Sequence, residues 1–248
     1  MDSHLKVYDL EDESATFGHV IGDFSAGALE SWATRFSSNY GREGKLPQIA
    51  TTTQSGAVHI WQVEESSDQS ASNKLKASRD KAQTLQTTSH KFAMSLDWSR
   101  SRDFIVVGGV DGSVSIFSLK GAKPHTISAH MMPVRSVSFA SDEKTVLSAS
   151  DDTTVHVLDV ETGKSIGLLT GHSSAVLAVH HHPNKPLVAT GGNDNKVKIW
   201  DLTSLECITT LAKHEDSVWD VKWHDKGQQL VSVSEDRSVI IYNTLGDK

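Results

Sequence analysis

Residues 171–201 read GHSSAVLAVHHHPNKPLVATGGNDNKVKIWD. Apolar residues alternate from Ala175 to His181, from Leu187 to Gly191 and from Val197 to Leu202, the period of short strands. Between them stand Asn184-Lys185-Pro186 and Asn193-Asp194-Asn195-Lys196, residue types that supply tight-turn backbone angles or cap a turn with their own side chain. A fourth strand fits Cys207–Leu211. The same unit recurs on both sides. His130, His172 and His214 are 42 residues apart, as are Asp152, Asp194 and Asp236, while Leu158, Trp200 and Tyr242 close three units in register. A fixed period of this length decides the fold before local propensity does, and it predicts one all-β repeat domain over residues 1–248.

Looser copies lie upstream. One runs from His90 to Leu119 with Asp111 and Phe117 at the landmark positions, and another runs from Ile21 to Val63 and ends in Trp61. The spacing from Trp61 to Phe117 is 56 rather than 42, because residues 64–82 insert a Ser-, Asp-, Gln- and Lys-rich segment. So little apolar content predicts a disordered surface loop there. A smaller insertion, Ser37 to Leu46, separates the first two strands of that unit.

Composition narrows the function classes. The chain has 248 residues, 24 Lys plus Arg and 31 Asp plus Glu, a formal charge of −7 that disfavours binding to a phosphate backbone. Its one cysteine, Cys207, cannot form an internal disulfide, as expected of a chain from a reducing compartment. No apolar run reaches the roughly 18 to 20 residues that span a bilayer, so no membrane partner is expected.

His172, Thr190 and Asp194 have the residue types of a nucleophile, base and orienting acid. The set recurs as His130, Ser148, Asp152 and as His214, Ser232, Asp236, whereas an enzyme needs one such site in one cleft. Repetition makes it architectural. His180-His181-His182 invites a metal reading, but successive strand residues point to opposite faces and cannot converge on one ion without a bend. No glycine-rich phosphate loop or Cys-x-x-Cys occurs. The expectation is a protein with no catalytic residues, metal or cofactor.

Four strands per unit, opened by Gly171-His172 and closed by Trp200-Asp201, resemble the WD-repeat family of β-propellers. The resemblance implies that Trp200 joins Thr190, His172 and Asp194 in one buried hydrogen-bonded chain, with Tyr242 as its counterpart in the last unit. Leu158 replaces the indole, Val107 replaces the hydroxyl, and Ser55 stands where the acid would be. One strand at His4–Asp9 and five sets of four give about 21 strands against roughly 28 in a seven-bladed ring. The expectation is an N-terminally truncated propeller of about five blades; in a rival arrangement a strand near Thr16–Ile21 completes the last blade.

Propellers of this family engage partners at one rim of the ring. Aligning the units puts Trp32, Met94, Arg135, Leu177 and Trp219 at one position early in the innermost strand, a hot-spot composition. Residues before the turn acid, namely Val110, Asp151, Asn193 and Glu235, form a second ring of mostly polar acceptors. Together they suit a peptide with an apolar anchor and a cation.

The stretches His130–Ser136, Ser150-Asp151-Asp152 and His214–Lys222 are also similar to the small WD-repeat subunit shared by the superkiller complex and the RNA polymerase II-associated factor complex. That resemblance implies a monomer within a hetero-complex, in nucleus and cytoplasm, with no direct nucleic-acid contact. Its partners would be a tetratricopeptide-repeat subunit and an RNA helicase, for 3′-to-5′ mRNA decay, or the elongation-factor subunits. A cullin-ligase substrate receptor often ends a repeat in Trp-Asp-x-Arg, where this chain has Trp200-Asp201-Leu202-Thr203; a G-protein β-like adaptor would want a heptad run, and none precedes Leu5.

Overall fold

A computed structural model describes residues 4–8, 19–25, 31–37, 48–65, 75–101, 103–121 and 123–244. Among them every regular element is a strand. β1 (His4–Tyr8) and β2 (Val20–Ser25) form a hairpin. There follow β3 (Ser31–Phe36), β4 (Gln48–Thr53), β5 (Ala57–Glu65) and β6 (Leu75–Gln86). Next come β7 (Ala93–Trp98), β8 (Phe104–Gly109), β9 (Ser113–Ser118) and β10 (His125–Ser128). β11 (Val134–Phe139), β12 (Thr145–Ser150), β13 (Thr154–Asp159) and β14 (Ser165–Thr170) make the third set. β15 (Val176–His181), β16 (Leu187–Gly192), β17 (Val197–Asp201) and β18 (Cys207–Leu211) make the fourth. β19 (Val218–Trp223), β20 (Gln229–Ser234) and β21 (Val239–Asn243) end the chain.

Each set is an antiparallel meander, and the innermost strands β3, β7, β11, β15 and β19 pack on one another in that order. Both faces of a sheet are therefore buried, and neighbouring residues of one strand feed different cores. Val146 of β12 packs with Val106, Ile116 and Leu158 towards the preceding blade, while Leu147 packs with Val176, Val188 and Trp200 towards the next. Burying a side chain of this size contributes roughly 1.5 to 3 kcal/mol, so the inter-blade seams hold the propeller together. Among the described residues the sheets do not close into a ring. On β21 itself Val239 and Ile241 are exposed.

Two expectations change. Residues 64–82 are not a loop throughout: β5 runs to Glu65 and β6 begins at Leu75, with Glu65 opposite Leu75 and Val63 opposite Ala77, and residues 66–74 lie outside the described set. Backbone pairing prolongs the hairpin beyond the blade, and Leu75 packs on the cluster of Ile49, Trp61 and Val63. Of the Ser37–Leu46 insertion only Ser37 is described. The strand expected near Thr16–Ile21 does not complete the last blade. β2 pairs with β1 and, at Gly22, parallel to Leu75 of β6. Leu5 and Val7 lie on Ile49, Trp61 and Val63, the face that in later sheets meets a preceding blade. The apolar alternation of β1 takes it to the first sheet instead of the last.

Candidate functional site: a bulged rim above a repeated polar network

The network begins in a turn. Asp152, Asp194 and Asp236 each accept the backbone N–H two residues on, from Thr154 (3.1 Å), Lys196 (3.3 Å) and Ser238 (2.8 Å). The intervening Thr153, Asn195 and Arg237 lie at φ of 74°, 64° and 68°. Such a left-handed residue costs about 1 kcal/mol or more unless it is Gly or Asn, and the aspartate holds the turn around it.

The same carboxylates reach into the blade. His172 Nδ1 lies 2.9 Å from Asp194, its Nε2 lies 2.7 Å from Thr190 Oγ1, and Trp200 Nε1–H donates to that hydroxyl at 2.8 Å. Burial outweighs the opposing pull of Asp194 and holds the His172 imidazole below its ordinary range, so it is neutral at pH 7. The polarity of the chain follows: the indole donates to the hydroxyl, the hydroxyl to Nε2, and Nδ1–H to the carboxylate. Burial alone would raise the Asp194 carboxyl, but the Ser173 amide, His172 and the Lys196 amide together bring it below the usual range.

The flanking blades repeat the geometry with local changes. His130 lies 2.8 Å from Asp152 and 2.9 Å from Ser148, and His214 lies 2.8 Å from Asp236 and 2.7 Å from Ser232. Tyr242 accepts weakly from Ser232, at 3.4 Å. Leu158, in the indole's place, is fully buried and packs instead. In the β7–β10 sheet Val107 and Phe117 are both buried, and Asp111 is bonded by Ser113 and Ser89, while His90 is exposed. In the β3–β6 sheet Trp61 donates to Thr51 at 3.1 Å, and Ser55 bonds Thr53.

The three consecutive histidines go separate ways. His180 Nδ1 accepts the Trp223 backbone N–H at 3.1 Å. His181 Nδ1 lies 3.4 Å from Ser138 Oγ. His182 donates from Nε2 to the Gly227 carbonyl and accepts at Nδ1 from Asn184 and Lys185.

The rim is built by a feature that residue spacing alone does not reveal. In all five innermost strands the register to the next strand shifts near the same place: between Ser31 and Thr34, Ala93 and Ser95, Val134 and Ser136, Val176 and Ala178, and Val218 and Asp220. The residues inside those bulges are Trp32, Met94, Arg135, Leu177 and Trp219, with Ala33 beside Trp32 in its wider bulge. A bulge leaves its extra residue out of the ladder and re-aims the side chain. Trp32 and Trp219 are accordingly 62% and 54% exposed. Arg135 is exposed, whereas Met94 and Leu177 are half-buried.

The second ring is not a set of free acceptors, because its two acids are engaged by the first ring and its amide by neighbouring serines. Asp151 accepts a bidentate pair from Arg135, at 2.9 Å from Nε and 2.7 Å from Nη2. Glu235 accepts the Trp219 indole N–H at 2.9 Å, and Asn193 accepts from Ser217 and donates to Ser174. Trp32 rests edge-on against Phe92, ring centroids 5.3 Å apart. Val110 contributes only an exposed apolar side chain. The acids act as struts that hold the guanidinium and indole in place. Alternation of strand faces, read without the bulge, could not have signalled these pairings.

This architecture, with its His–Asp–hydroxyl set repeated in three blades and extended to an indole at Trp200, defines a WD40 β-propeller. Residues 163–201 and 205–243 match the WD domain, G-beta repeat, and residues 39–175 match the family described as nucleolar protein 10-like, N-terminal domain. The latter match takes in more than half of the chain, and the chain belongs to that family of WD-repeat β-propellers. It is also similar to WD repeat-containing protein SL1-17 of Schistosoma mansoni, 29% identical over 166 residues, which are 67% of this chain and 47% of that protein. The chain thus spans about half the length of the curated relative it matches.

Proposed function

We propose that this protein is a non-catalytic scaffold that docks peptide segments of partner proteins on the bulged rim. The observation that carries the reading is the shared bulge, which puts two tryptophans and an arginine on one edge and braces Arg135 and Trp219 against acids of their own blades. Trp and Arg dominate interface hot spots, and bracing lowers the entropy lost when they bind. The repeated His–Asp–hydroxyl sets are committed to turns and strand seams, which supports a structural rather than a catalytic role.

The resemblance in its repeat sequences makes the superkiller complex and the RNA polymerase II-associated factor complex the assemblies to test. In this reading a tetratricopeptide-repeat subunit and an RNA helicase, or the elongation-factor subunits, are the partners. The protein works in cytoplasm and nucleus as a monomer within those complexes, without itself contacting nucleic acid.

Affinity purification from nuclear and cytoplasmic extracts, followed by mass spectrometry, tests the assemblies. Co-purification of a tetratricopeptide-repeat protein with an RNA helicase, or of the elongation factors, is the expected result; a cullin adaptor in their place refutes it. For the rim, Trp219→Ala is expected to keep the circular dichroism spectrum and weaken the captured partner by about 2 kcal/mol or more. Unaltered affinity in a titration removes Trp219 from the docking surface.

A further inference from the structure

Three residues beyond each bulged position, one side chain per blade faces the centre: Arg35, Asp97, Ser138, His180 and Lys222 all line a single cavity of about 340 Å³. That volume falls in the range of small-ligand sites. Arg100, on the turn after β7, lines it too but has a partner of its own, so Arg35 and Lys222 are the cations that the strands bring to this space.

Asp97, Glu143 and Asp225 line the same cavity. Asp97 is occupied, accepting the Phe139 amide at 2.9 Å with Arg35 Nε at 3.4 Å, and burial nevertheless pushes its carboxyl above the ordinary range. Glu143 accepts both the amide and the hydroxyl of Ser101, each at 2.9 Å. Asp225 is exposed.

Lys222 is reachable by water through the cavity yet mostly surrounded by protein, and it makes no hydrogen bond or ion pair among the described residues. Burial, with Arg35 nearby, outweighs the opposing pull of Asp220 and Asp97 and holds its ammonium below the usual range. The His180 imidazole adds a donor rather than a charge. Because His180 Nδ1 accepts the Trp223 amide, its Nε2 carries the proton. His181 is 7% exposed and stands where β7, β11 and β19 carry Trp98, Phe139 and Trp223. Its Nε2 is buried without a partner, and its Nδ1 shares the Ser138 hydroxyl with the Phe139 carbonyl, so either tautomer fits the protein and a ligand oxygen at Nε2 would select the N–H form.

We propose that the central cavity is a binding site for a small multivalent oxyanion of the phosphate class. Cations on separate blades ask for several negative charges spread over one compact ligand, which a single carboxylate does not supply. Such a ligand would contact β3 and β19 together and so tie the first and last sheets of the propeller across its centre. This site is independent of the rim and of its protein partners.

The test is calorimetric titration of the purified chain with pyrophosphate and with inorganic phosphate, against sulfate at matched ionic strength. Saturable binding is expected, tighter for pyrophosphate, and weakened at least about tenfold in Lys222→Met. That variant removes an unpaired cation and should fold as well as the parent. His181→Phe, which installs the aromatic type of the neighbouring blades, is expected to stay folded and lose affinity severalfold. Lys164→Gln, on the outer turn before β14, is expected to leave binding unchanged. No saturable binding below about 1 mM pyrophosphate, or equal affinity in the parent, Lys222→Met and His181→Phe, overturns the proposal.

Discussion

Replacing Asp194 by alanine tests the central idea that a polar chain pins each of the last three blades. The side chain is 4% exposed and serves three groups: His172 Nδ1 at 2.9 Å, the Ser173 amide at 3.1 Å and the Lys196 amide at 3.3 Å. Because His172 is neutral at pH 7, the lost contact is a hydrogen bond to a charged acceptor rather than an ion pair. Leaving a buried donor unsatisfied costs about 1 to 3 kcal/mol. The two amides sit nearer solvent and recover water, so the total is about 2 to 4 kcal/mol. For a chain of this size that is about 4 to 16 °C in thermal midpoint. Urea unfolding followed by circular dichroism and by tryptophan fluorescence reads it directly. A double-mutant cycle with His172→Leu sharpens the result: once the imidazole is gone, Asp194→Ala should cost at least about 1 kcal/mol less than in the parent. An unchanged midpoint, or strictly additive losses, would refute the network as a stabilising element.

Acidification from pH 7 to pH 5 should destabilise the fold through the cavity imidazoles. Burial, followed by the cations around them, lowers His180 to about 2 and His181 to about 4. The unfolded chain takes up protons near pH 6.5 while the folded chain does not, so stability is lost below about 6.5, by about 2 kcal/mol per group at pH 5. A urea midpoint that stays flat over that interval contradicts it, and His181→Phe should remove about half of the loss. Thr153 is β-branched at φ 74°, where the β7–β10 sheet has Gly112 at φ 80°; Thr153→Gly should therefore raise stability by about 1 kcal/mol in thermal unfolding. Gly227 sits at φ 70° with the His182 ring where a Cβ would project. Gly227→Ala should cost about 2 to 4 kcal/mol by the same assay, from backbone strain plus overpacking.

The parts of this structure legible in the sequence are those that repeat. The 42-residue spacing of His172 and Asp194 with their copies marks the blades, and the strands β15 to β18 fall within a residue or two of where alternation and turn residues place them. The rim position of Trp219 and its equivalents is likewise legible from alignment. What alignment cannot supply is direction: Arg135 and Asp151 sit in separate rings on paper, and only the bulge brings guanidinium and carboxylate together. The pairing of Glu65 with Leu75 was hidden for another reason, since a polar two-stranded extension has a loop's composition and backbone hydrogen bonds leave no apolar signature. Arg35, His180 and Lys222 pass for solvated strand residues until five blades are set around one axis.

The recurring bulge separates two jobs that a strand residue ordinarily performs at once. At Leu177 or Trp219 the side chain lies outside the ladder, while Val176 and Val218 beside them are fully buried. A substitution at the bulged position therefore changes the surface of the rim with little effect on the seams that hold adjacent sheets. The five positions act as letters of a short word that can be respelled one at a time without first rebuilding the protein that carries them.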